Sequence, residues 1–236
     1  EQVAPATAFD LAYLNCNADP AALVVSLSAR PVGSLAFYGP PGTGKTALAA
    51  HIARACDRPL LVKRASDLLS PWVGECEQNI ARAFEQAKEE GAVLTLDEAD
   101  SFLADRRDAR ARWELTETNE LLTQIERFDG LFVCTTNLMD RLDRAALRRF
   151  AVKLRFDYLW PEQVQALVRA ALLELGIGDG PPSSLSRLQR VTPGDVAAVV
   201  KRCRLVGGAR SAEAFAVMLR EEIELKGEGA ARPIGF

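Results

Sequence analysis

The chain has 236 residues and a mass of 25.7 kDa, enough for one substantial domain or for one domain with a small appendage. Apolar residues make up 48% and charged residues 26%, as in globular proteins, so the composition argues against disorder. Its 29 lysines and arginines against 32 aspartates and glutamates give a net charge of −3, which argues against a dedicated duplex nucleic-acid binder, because that class is usually basic.

Single features of the sequence exclude further classes. No run approaches the ~18 consecutive apolar residues of a membrane span, so we expect no membrane segment in this chain. The five cysteines are scattered and His51 is the only histidine, so a zinc site is not expected. An odd number of scattered cysteines is typical of a reducing compartment, and we expect a cytoplasmic protein.

Short apolar runs alternate with stretches of helical spacing over the first two thirds of the chain. This alternation predicts an α/β fold, in which helices cover both faces of a mostly parallel sheet in three layers. In chain order the pattern predicts strand 35–38, helix 46–56, strand 60–63, helix 75–88, strand 93–96, helix 113–128, and strands 131–135 and 152–156.

Beyond Trp160 the sequence predicts helices only. They span 161–175, 193–206 and 211–225, with a short helical turn at 183–189 and a break in the glycine- and proline-rich stretch 176–182. We therefore predict two domains. The α/β domain spans residues 1–159, and a small α-helical lid domain spans residues 160–236.

A phosphate-binding loop follows the first predicted strand. It matches the Walker A pattern G-x-x-x-x-G-K-[S/T], in which glycines let backbone N–H groups turn toward the phosphates. Lys45 would place a positive charge on the β/γ oxygens, and the Thr46 hydroxyl could ligate Mg²⁺. A chance glycine-rich turn is the alternative, but the strand before the loop and the helix after it are what the mechanism requires. The loop consists of Gly39, Pro40, Pro41, Gly42, Thr43, Gly44, Lys45 and Thr46.

Acidic residues end the predicted strand 93–96, as in a Walker B motif. This strand delivers Asp97 to its carboxyl end, where the carboxylate can hold Mg²⁺ through water. Glu98 is then placed to polarise the attacking water as a general base. An acidic helix cap is the alternative for this pair, and Asp100 fits capping as well as catalysis. A passive nucleotide switch does not need Glu98, so its presence favours turnover.

Together these motifs resemble those of the AAA family of ATPases, within the AAA+ group. The resemblance covers roughly 9–225 and rests on the loop at 39–46, on Leu-Asp-Glu-Ala-Asp at 96–100 and on Trp-Val-Gly-Glu-Cys-Glu-Gln-Asn-Ile at 72–80. It implies a P-loop NTPase (AAA+) fold, whose α/β domain binds ATP or ADP with Mg²⁺ and is followed by the helical lid.

The segment at 72–80 resembles the pore loop of AAA unfoldases and the helix that follows it. In that family six subunits form a ring, and such loops grip a polypeptide in the central channel. The resemblance implies that Trp72 is the gripping residue, that Val73 is its neighbour and that Gly74 gives the loop its freedom. The alternative is that Trp72 is a half-buried aromatic side chain beside Pro71.

Three further segments resemble parts of the AAA nucleotide site. Asn137, at the end of a predicted strand, resembles sensor 1, which helps to orient the water near the γ-phosphate; an ordinary turn residue is the alternative. Gly194 lies where the family brings small residues to the nucleotide, so its backbone could approach the base or ribose; a plain helix start is the alternative. The matching segments of the family imply that the apolar slot for adenine comes from Phe9, Asp10, Leu11, Tyr13 and Leu14.

Residues 142–150 resemble the segment that carries the arginine fingers, which reach the γ-phosphate of the neighbouring subunit. The usual Arg-Pro-Gly-Arg-Phe-Asp is shortened here, and its two arginines are adjacent. We favour Arg149, because it keeps its place directly before Phe150, and rank Arg148 second. The alternative is a solvated basic face that also includes Arg141, Arg144, Lys153 and Arg155.

The combined interpretation is a Mg²⁺-dependent ATPase that assembles into a hexameric ring and remodels or threads a protein substrate. Hydrolysis at the subunit boundaries would move the lid relative to the body and so drag the Trp72 loops. The charged residues 105–112 resemble a second pore-facing loop, but they fit a solvated loop equally well. One alternative is a nucleic-acid motor or loader of the same group. Such a protein needs a basic channel face, and only the loop at 105–112 could provide one. The other is a scaffold that uses nucleotide only to assemble, against which Glu98 argues.

Overall fold

The computed structural model describes residues 9–72, 74–103, 112–138, 143–178 and 180–228. It divides into two compact units. The sheet unit contains Cys16–Pro40 and Lys45–Phe156. The helical unit contains the described residues of Glu1–Asn15, Pro41–Gly44 and Asp157–Phe236. The predicted domain limits, 1–159 and 160–236, stay a prediction.

A six-stranded sheet, in the order β1-β6-β2-β5-β4-β3, forms the centre of the sheet unit. The pairs β2–β5, β2–β6, β3–β4 and β4–β5 are parallel. The five predicted strands are confirmed, and only the two-residue β1 was not predicted. The strands are β1 (Asn15–Cys16), β2 (Gly33–Tyr38), β3 (Leu60–Arg64), β4 (Val93–Asp97), β5 (Leu131–Thr136) and β6 (Val152–Asp157).

Seven α-helices lie among the described residues of the sheet unit. The three predicted helices correspond to α2, α4 and α6, whereas α1 and the one-turn helices α3, α5 and α7 were not predicted. They are α1 (Pro20–Ala29), α2 (Lys45–Ala55), α3 (Ala65–Leu68), α4 (Glu75–Glu90), α5 (Asp100–Leu103), α6 (Arg112–Arg127) and α7 (Arg144–Leu147).

In the central strands β2, β4 and β5, side chains on both faces of the sheet are buried, which is why these strands read as largely apolar runs. Phe132 and Cys134 of β5 belong to one core cluster with Ile80 of α4 and Leu121 of α6. Val133, which points to the opposite face, is equally buried. Helix α2 packs against β3, β4 and β5. Because β2, β4 and β5 run parallel, the residues that follow them meet at one edge of the sheet.

The helical unit is built from α8 (Pro161–Glu174), α9 (Pro193–Val206) and α10 (Ala212–Glu228), as predicted. Two 3₁₀ helices, Leu11–Tyr13 and Ser183–Arg187, belong to the same unit. Its core contains side chains from all three α-helices, among them Leu167, Val200 and Phe215. Within the described part of the chain, no helix combines the length and the apolar character needed to cross a membrane.

Candidate functional site

The phosphate-binding loop connects β2 to α2 and has a backbone that only glycine adopts freely. Gly39, Gly42 and Gly44 have φ angles of +143°, +78° and +97°, all in the range that L side chains rarely adopt. At Gly39 a Cβ atom would also overlap the carbonyl oxygen of Phe156. The glycines of the motif are therefore required by the backbone, and they permit the inward-turned N–H groups that a phosphate needs.

The ammonium group of Lys45 is held by three oxygen atoms at the start of α2. Its Nζ donates to the carbonyl oxygens of Gly39 and Pro40, each at 2.8 Å, and to Oδ1 of Asn137 at 2.9 Å. The residue is only 7% exposed. Burial lowers the pKa of Lys45 to about 8, while the negative charges of Asp100 and Asp97 act in the opposite direction.

The Asp97 carboxylate lies at the end of β4, directly beside the first turn of α2. Its Oδ1 accepts a hydrogen bond from the Thr46 hydroxyl at 2.9 Å and another from the Thr135 hydroxyl. The two predicted Mg²⁺ ligands are therefore adjacent. Sequence reasoning placed Thr135 in the segment of the predicted sensor 1 residue, Asn137, but gave Thr135 no role of its own.

Glu98 has an exposed side chain on a strained backbone. Its φ of +55° is uncommon for a residue other than glycine. Thr135 holds this backbone from both sides, because Oγ1 accepts from Glu98 N at 3.3 Å and the carbonyl oxygen accepts from Ala99 N at 2.9 Å. At the end of β4, a left-handed backbone conformation and an exposed side chain therefore occur together at Glu98.

Asp100 links the ends of β4 and β5. Its Oδ1 accepts from the Thr136 hydroxyl at 2.6 Å and from Asn137 N at 3.0 Å. Thr136 Oγ1 in turn accepts from Leu138 N at 3.1 Å. Asp100, at the start of α5, thus fixes the backbone of Asn137, whose side chain reaches Lys45. Sequence reasoning left Asp100 open between capping and catalysis, and it missed Thr136.

Comparison with known proteins identifies the family of this chain. The family model described as ATPase family associated with various cellular activities (AAA) matches residues 35–158. The chain belongs to the AAA family. The resemblance stated from the motifs is thereby confirmed.

Curated AAA relatives and a solved AAA structure are similar to this chain. Spastin of Drosophila erecta and of Drosophila melanogaster are each 30% identical over 187 residues, which cover 74% of this chain and 24% of theirs. The spastin homolog of Caenorhabditis elegans is 32% identical over 165 residues, 66% of this chain and 32% of its own. The chain thus spans about a quarter to a third of the length of these relatives. The crystal structure of the FIGL-1 AAA domain in complex with ADP matches with a TM-score of 0.62 at 25% identity, covering 85% of this chain and 77% of that chain. The predicted fold, an α/β P-loop AAA fold with a mostly parallel sheet and C-terminal helices, is confirmed.

In the helical unit of this AAA chain, Gly194 contacts the phosphate-binding loop itself. It is the second residue of α9, and its N–H donates to the carbonyl oxygen of Gly42 at 2.9 Å. A Cβ atom at Gly194 would lie 2.9 Å from Gly42 Cα, so only glycine fits this approach. Gly194 is therefore more than a plain helix start, whereas its approach to a base or ribose stays a prediction.

The residues predicted to line the adenine slot belong to the helical unit. Asp10 caps the 3₁₀ helix Leu11–Tyr13 by accepting from Ala12 N at 2.9 Å. Leu14 is buried, and its Cδ2 would lie 2.7 Å from a Cβ atom at Gly44. Leu14 thus packs against the loop, and the adenine assignment of the predicted set, Phe9, Asp10, Leu11, Tyr13 and Leu14, stays a prediction.

Trp72 projects into solvent from the segment before α4. It is 74% exposed, which contradicts the alternative of a half-buried aromatic side chain. Below it, Ser70 donates a hydrogen bond to Glu75 and accepts one from Trp72 N at 3.2 Å. Gly74 has a φ of +82° and open space around its Cα. Val73 and the predicted second loop at 105–111 lie outside the described residues, while Arg112 begins α6.

The two candidate arginine fingers follow α7 and are both exposed. The Arg149 guanidinium forms an ion pair with Glu126 of α6. Phe150 is fully buried and anchors the segment in the core of the sheet unit. Of the alternative basic face, Lys153 donates to the Phe150 carbonyl oxygen at 2.6 Å, and the side chains of Arg141 and Arg144 lie outside the described part. A buried anchor next to exposed arginines suits a group that acts on another molecule.

Proposed function

We propose that this AAA chain binds ATP together with Mg²⁺ and hydrolyses it. The observation that carries the proposal is the 2.9 Å contact between the Thr46 hydroxyl and the Asp97 carboxylate, beside a buried and positively charged Lys45. These are the groups that a Walker motif places on Mg²⁺ and on the phosphates. The family consists of ATPases, and the similar FIGL-1 domain has ADP bound in its crystal structure.

The residues present fit a magnesium ion that is held largely by its nucleotide. Thr46 and Asp97 offer hard oxygen donors, which Mg²⁺ prefers. Among the described residues there is no group of three or more His, Cys, Asp and Glu side chains that would hold a metal ion alone. When bound, Mg²⁺ would neutralise charge on the phosphate oxygens. Thr46 and Asp97 would orient it from the protein side.

The remaining side chains divide the chemistry among them. Lys45 binds phosphate oxygens and withdraws negative charge from them. Glu98 accepts a proton from the attacking water, which its exposed carboxylate can reach. Asn137 has an acceptor and two donors, and Asp100 fixes its backbone, so it can orient that water.

We further propose that the chain works in a hexameric ring and remodels or threads a protein or peptide. Two exposed features support this. Trp72 offers a large apolar side chain to a polypeptide, and Arg149 is available to a neighbouring subunit. Five cysteines without a disulfide support a cytoplasmic location as part of the same proposal.

The ATPase rate per subunit should climb steeply with protein concentration and rise further when an unfolded protein is added. The reason is that a site that needs Arg149 from a neighbour is complete only in an assembly. Trp72→Ala should remove the stimulation by protein and leave the basal rate unchanged, and Lys45→Ala should abolish binding of ATP in calorimetry.

Trp160→Ala is the matched control for this experiment, because Trp160 is also an exposed tryptophan, 62% accessible, but lies at the start of α8. It should keep the stimulation. A flat rate that protein does not change would contradict the ring and the threading role. Stimulation by DNA or RNA that disappears at high salt would instead favour a nucleic-acid motor.

Binding of ATP should weaken as the pH rises above 8. Nucleotide-free Lys45 has a pKa lowered to about 8, so at pH 9 it is mostly neutral and must take up a proton to bind phosphate. The affinity should fall by up to about tenfold per pH unit above 8. Calorimetry in buffers of different ionisation enthalpy should show close to one proton taken up at pH 9 and little at pH 7.

The lowered pKa of Lys45 also determines how this residue changes the free energy of unfolding with pH in the absence of nucleotide. Between pH 8 and about 10.5 the unfolded chain binds more protons at Lys45 than the folded chain does. This residue therefore makes the free energy of unfolding rise with pH in that window, while ATP affinity falls. In the calorimetric measurement of ATP binding, equal proton uptake at pH 7 and pH 9 would contradict the assignment of Lys45 to the phosphates.

A further inference from the structure

In the helical unit, an ion pair between a buried carboxylate and a partly exposed lysine lies next to Gly42 of the phosphate-binding loop. The Asp195 side chain, in the first turn of α9, is fully buried. Its Oδ2 accepts from the backbone N–H and from the hydroxyl of Thr192, both at 2.8 Å. Its Oδ1 forms an ion pair with Lys226 of α10. A carboxylate without solvent depends on such a partner, because an unpaired buried charge is strongly unfavourable.

Thr192 lies between this ion pair and Gly42 and contacts both. Lys226 Nζ donates to Thr192 Oγ1 at 3.3 Å. A Cβ atom at Gly42 would lie 2.8 Å from Thr192 Oγ1 and 3.5 Å from Lys226 Nζ. Next to them, Gly194 N donates to the Gly42 carbonyl oxygen at 2.9 Å. Two polar side chains and one backbone hydrogen bond therefore enclose a loop residue whose φ is +78°.

We propose that Lys226 is a positioning residue of the nucleotide site, which fixes the Gly42 backbone through Thr192 and Asp195. The loop binds phosphates with N–H groups whose direction depends on the φ angles of its glycines. An ammonium group that locks Thr192 and Asp195 in place also locks the Gly194–Gly42 hydrogen bond. The effect on nucleotide rests on the proposed function, whereas the effect on the loop does not.

A second ion pair between the same two helices provides a control for the effect of helix packing alone. Arg202 of α9 and Glu221 of α10 approach to 3.2 Å, and both side chains are half exposed. An exposed pair of this kind contributes little to stability. Arg202→Met therefore removes a positive charge and an α9–α10 contact without touching the loop, and it is the matched control for Lys226→Met.

The deciding variant is the double replacement Asp195→Asn with Lys226→Met. The introduced asparagine keeps an oxygen that accepts from Thr192, and no buried charge is left unpaired, so this protein should lose less stability than Lys226→Met alone, as measured by its unfolding temperature. If Lys226 acts on Gly42, the double variant should still bind MgADP about tenfold more weakly, because the charged donor to Thr192 is gone. The single variant Lys226→Arg, which keeps the positive charge beside Asp195, should keep most of the wild-type affinity for MgADP.

The exchange of the Gly194 amide hydrogen, followed by NMR on ¹⁵N-glycine-labelled protein without nucleotide, tests the loop directly. It should be slow in the wild type and in Arg202→Met, and at least about tenfold faster in the double variant. Wild-type exchange and affinity in a folded double variant would overturn the proposal. If the wild type binds no nucleotide, the proposed function fails, while the Gly194 exchange still decides the role of Lys226.

Discussion

Replacing Glu98 by Gln should lower ATP turnover by about 10²–10⁴-fold, the usual contribution of a general base, and leave ATP binding intact. Gln has the same shape, so the backbone at φ +55° and its hydrogen bond to Thr135 should persist. Lys45, Thr46 and Asp97 are unchanged, so the groups that hold phosphate and Mg²⁺ remain. The variant should accumulate bound ATP, which single-turnover measurements with radiolabelled ATP would show.

Glu89→Gln is the matched control, because Glu89 is an exposed carboxylate near the end of α4, away from the loop. It should turn over ATP at the wild-type rate. Unchanged turnover in Glu98→Gln would remove Glu98 as the base. Loss of ATP binding would instead show that the Glu98 carboxylate contributes to the binding of ATP, which its role as a general base does not require.

The central strands β2, β4 and β5 were predictable because they are buried on both faces and read as short, largely apolar runs. Helix α1 was missed for the opposite reason. Val24 and Leu27 are buried while Val25 is 71% exposed, so its apolar residues show no helical period. Its start did carry a signal, since Asp19 accepts from Ala21 N at 2.9 Å and Pro20 occupies the first helical position.

The residues of the site that sequence reasoning found all lie within local motifs. Lys45, Asp97 and Asn137 are recognisable because each follows or precedes a predicted strand. The contacts between motifs were not predictable. Asp100 meets Thr136 only because β4 and β5 pair in a register that sets Leu96 beside Cys134. Spacing alone does not give that register, since a slip of one residue would turn every side chain to the other face.

The proximity of Lys226 to Gly42 was even less predictable from the sequence. The two residues are separated by most of the chain, including nearly all of the sheet unit, and Lys226 looks like an ordinary cation in the last turn of a helix. Asp195 likewise reads as the third residue of a capping box, which it also is. Only the fold shows that this capping carboxylate is fully buried and therefore needs a charged partner.

Replacing Arg149 by Ala should lower turnover by about 10³–10⁵-fold if it acts as an arginine finger. In this chain Arg149 is paired with Glu126, and both side chains are about half exposed. Such a pair contributes at most about 1 kcal/mol, so a neighbouring γ-phosphate can compete for the guanidinium. Arg148→Ala is the control, and its smaller effect would decide between the two adjacent arginines.

Mixing Arg149→Ala with Lys45→Ala subunits tests whether the finger acts on a neighbour. Neither variant should hydrolyse ATP alone. In a mixed ring, however, an intact site of the first variant meets an intact finger of the second at about a quarter of the boundaries. Activity should therefore return to a fraction of the wild-type rate, measured as phosphate release. No recovery in rings shown by cross-linking to contain both variants would mean that Arg149 does not act across the boundary.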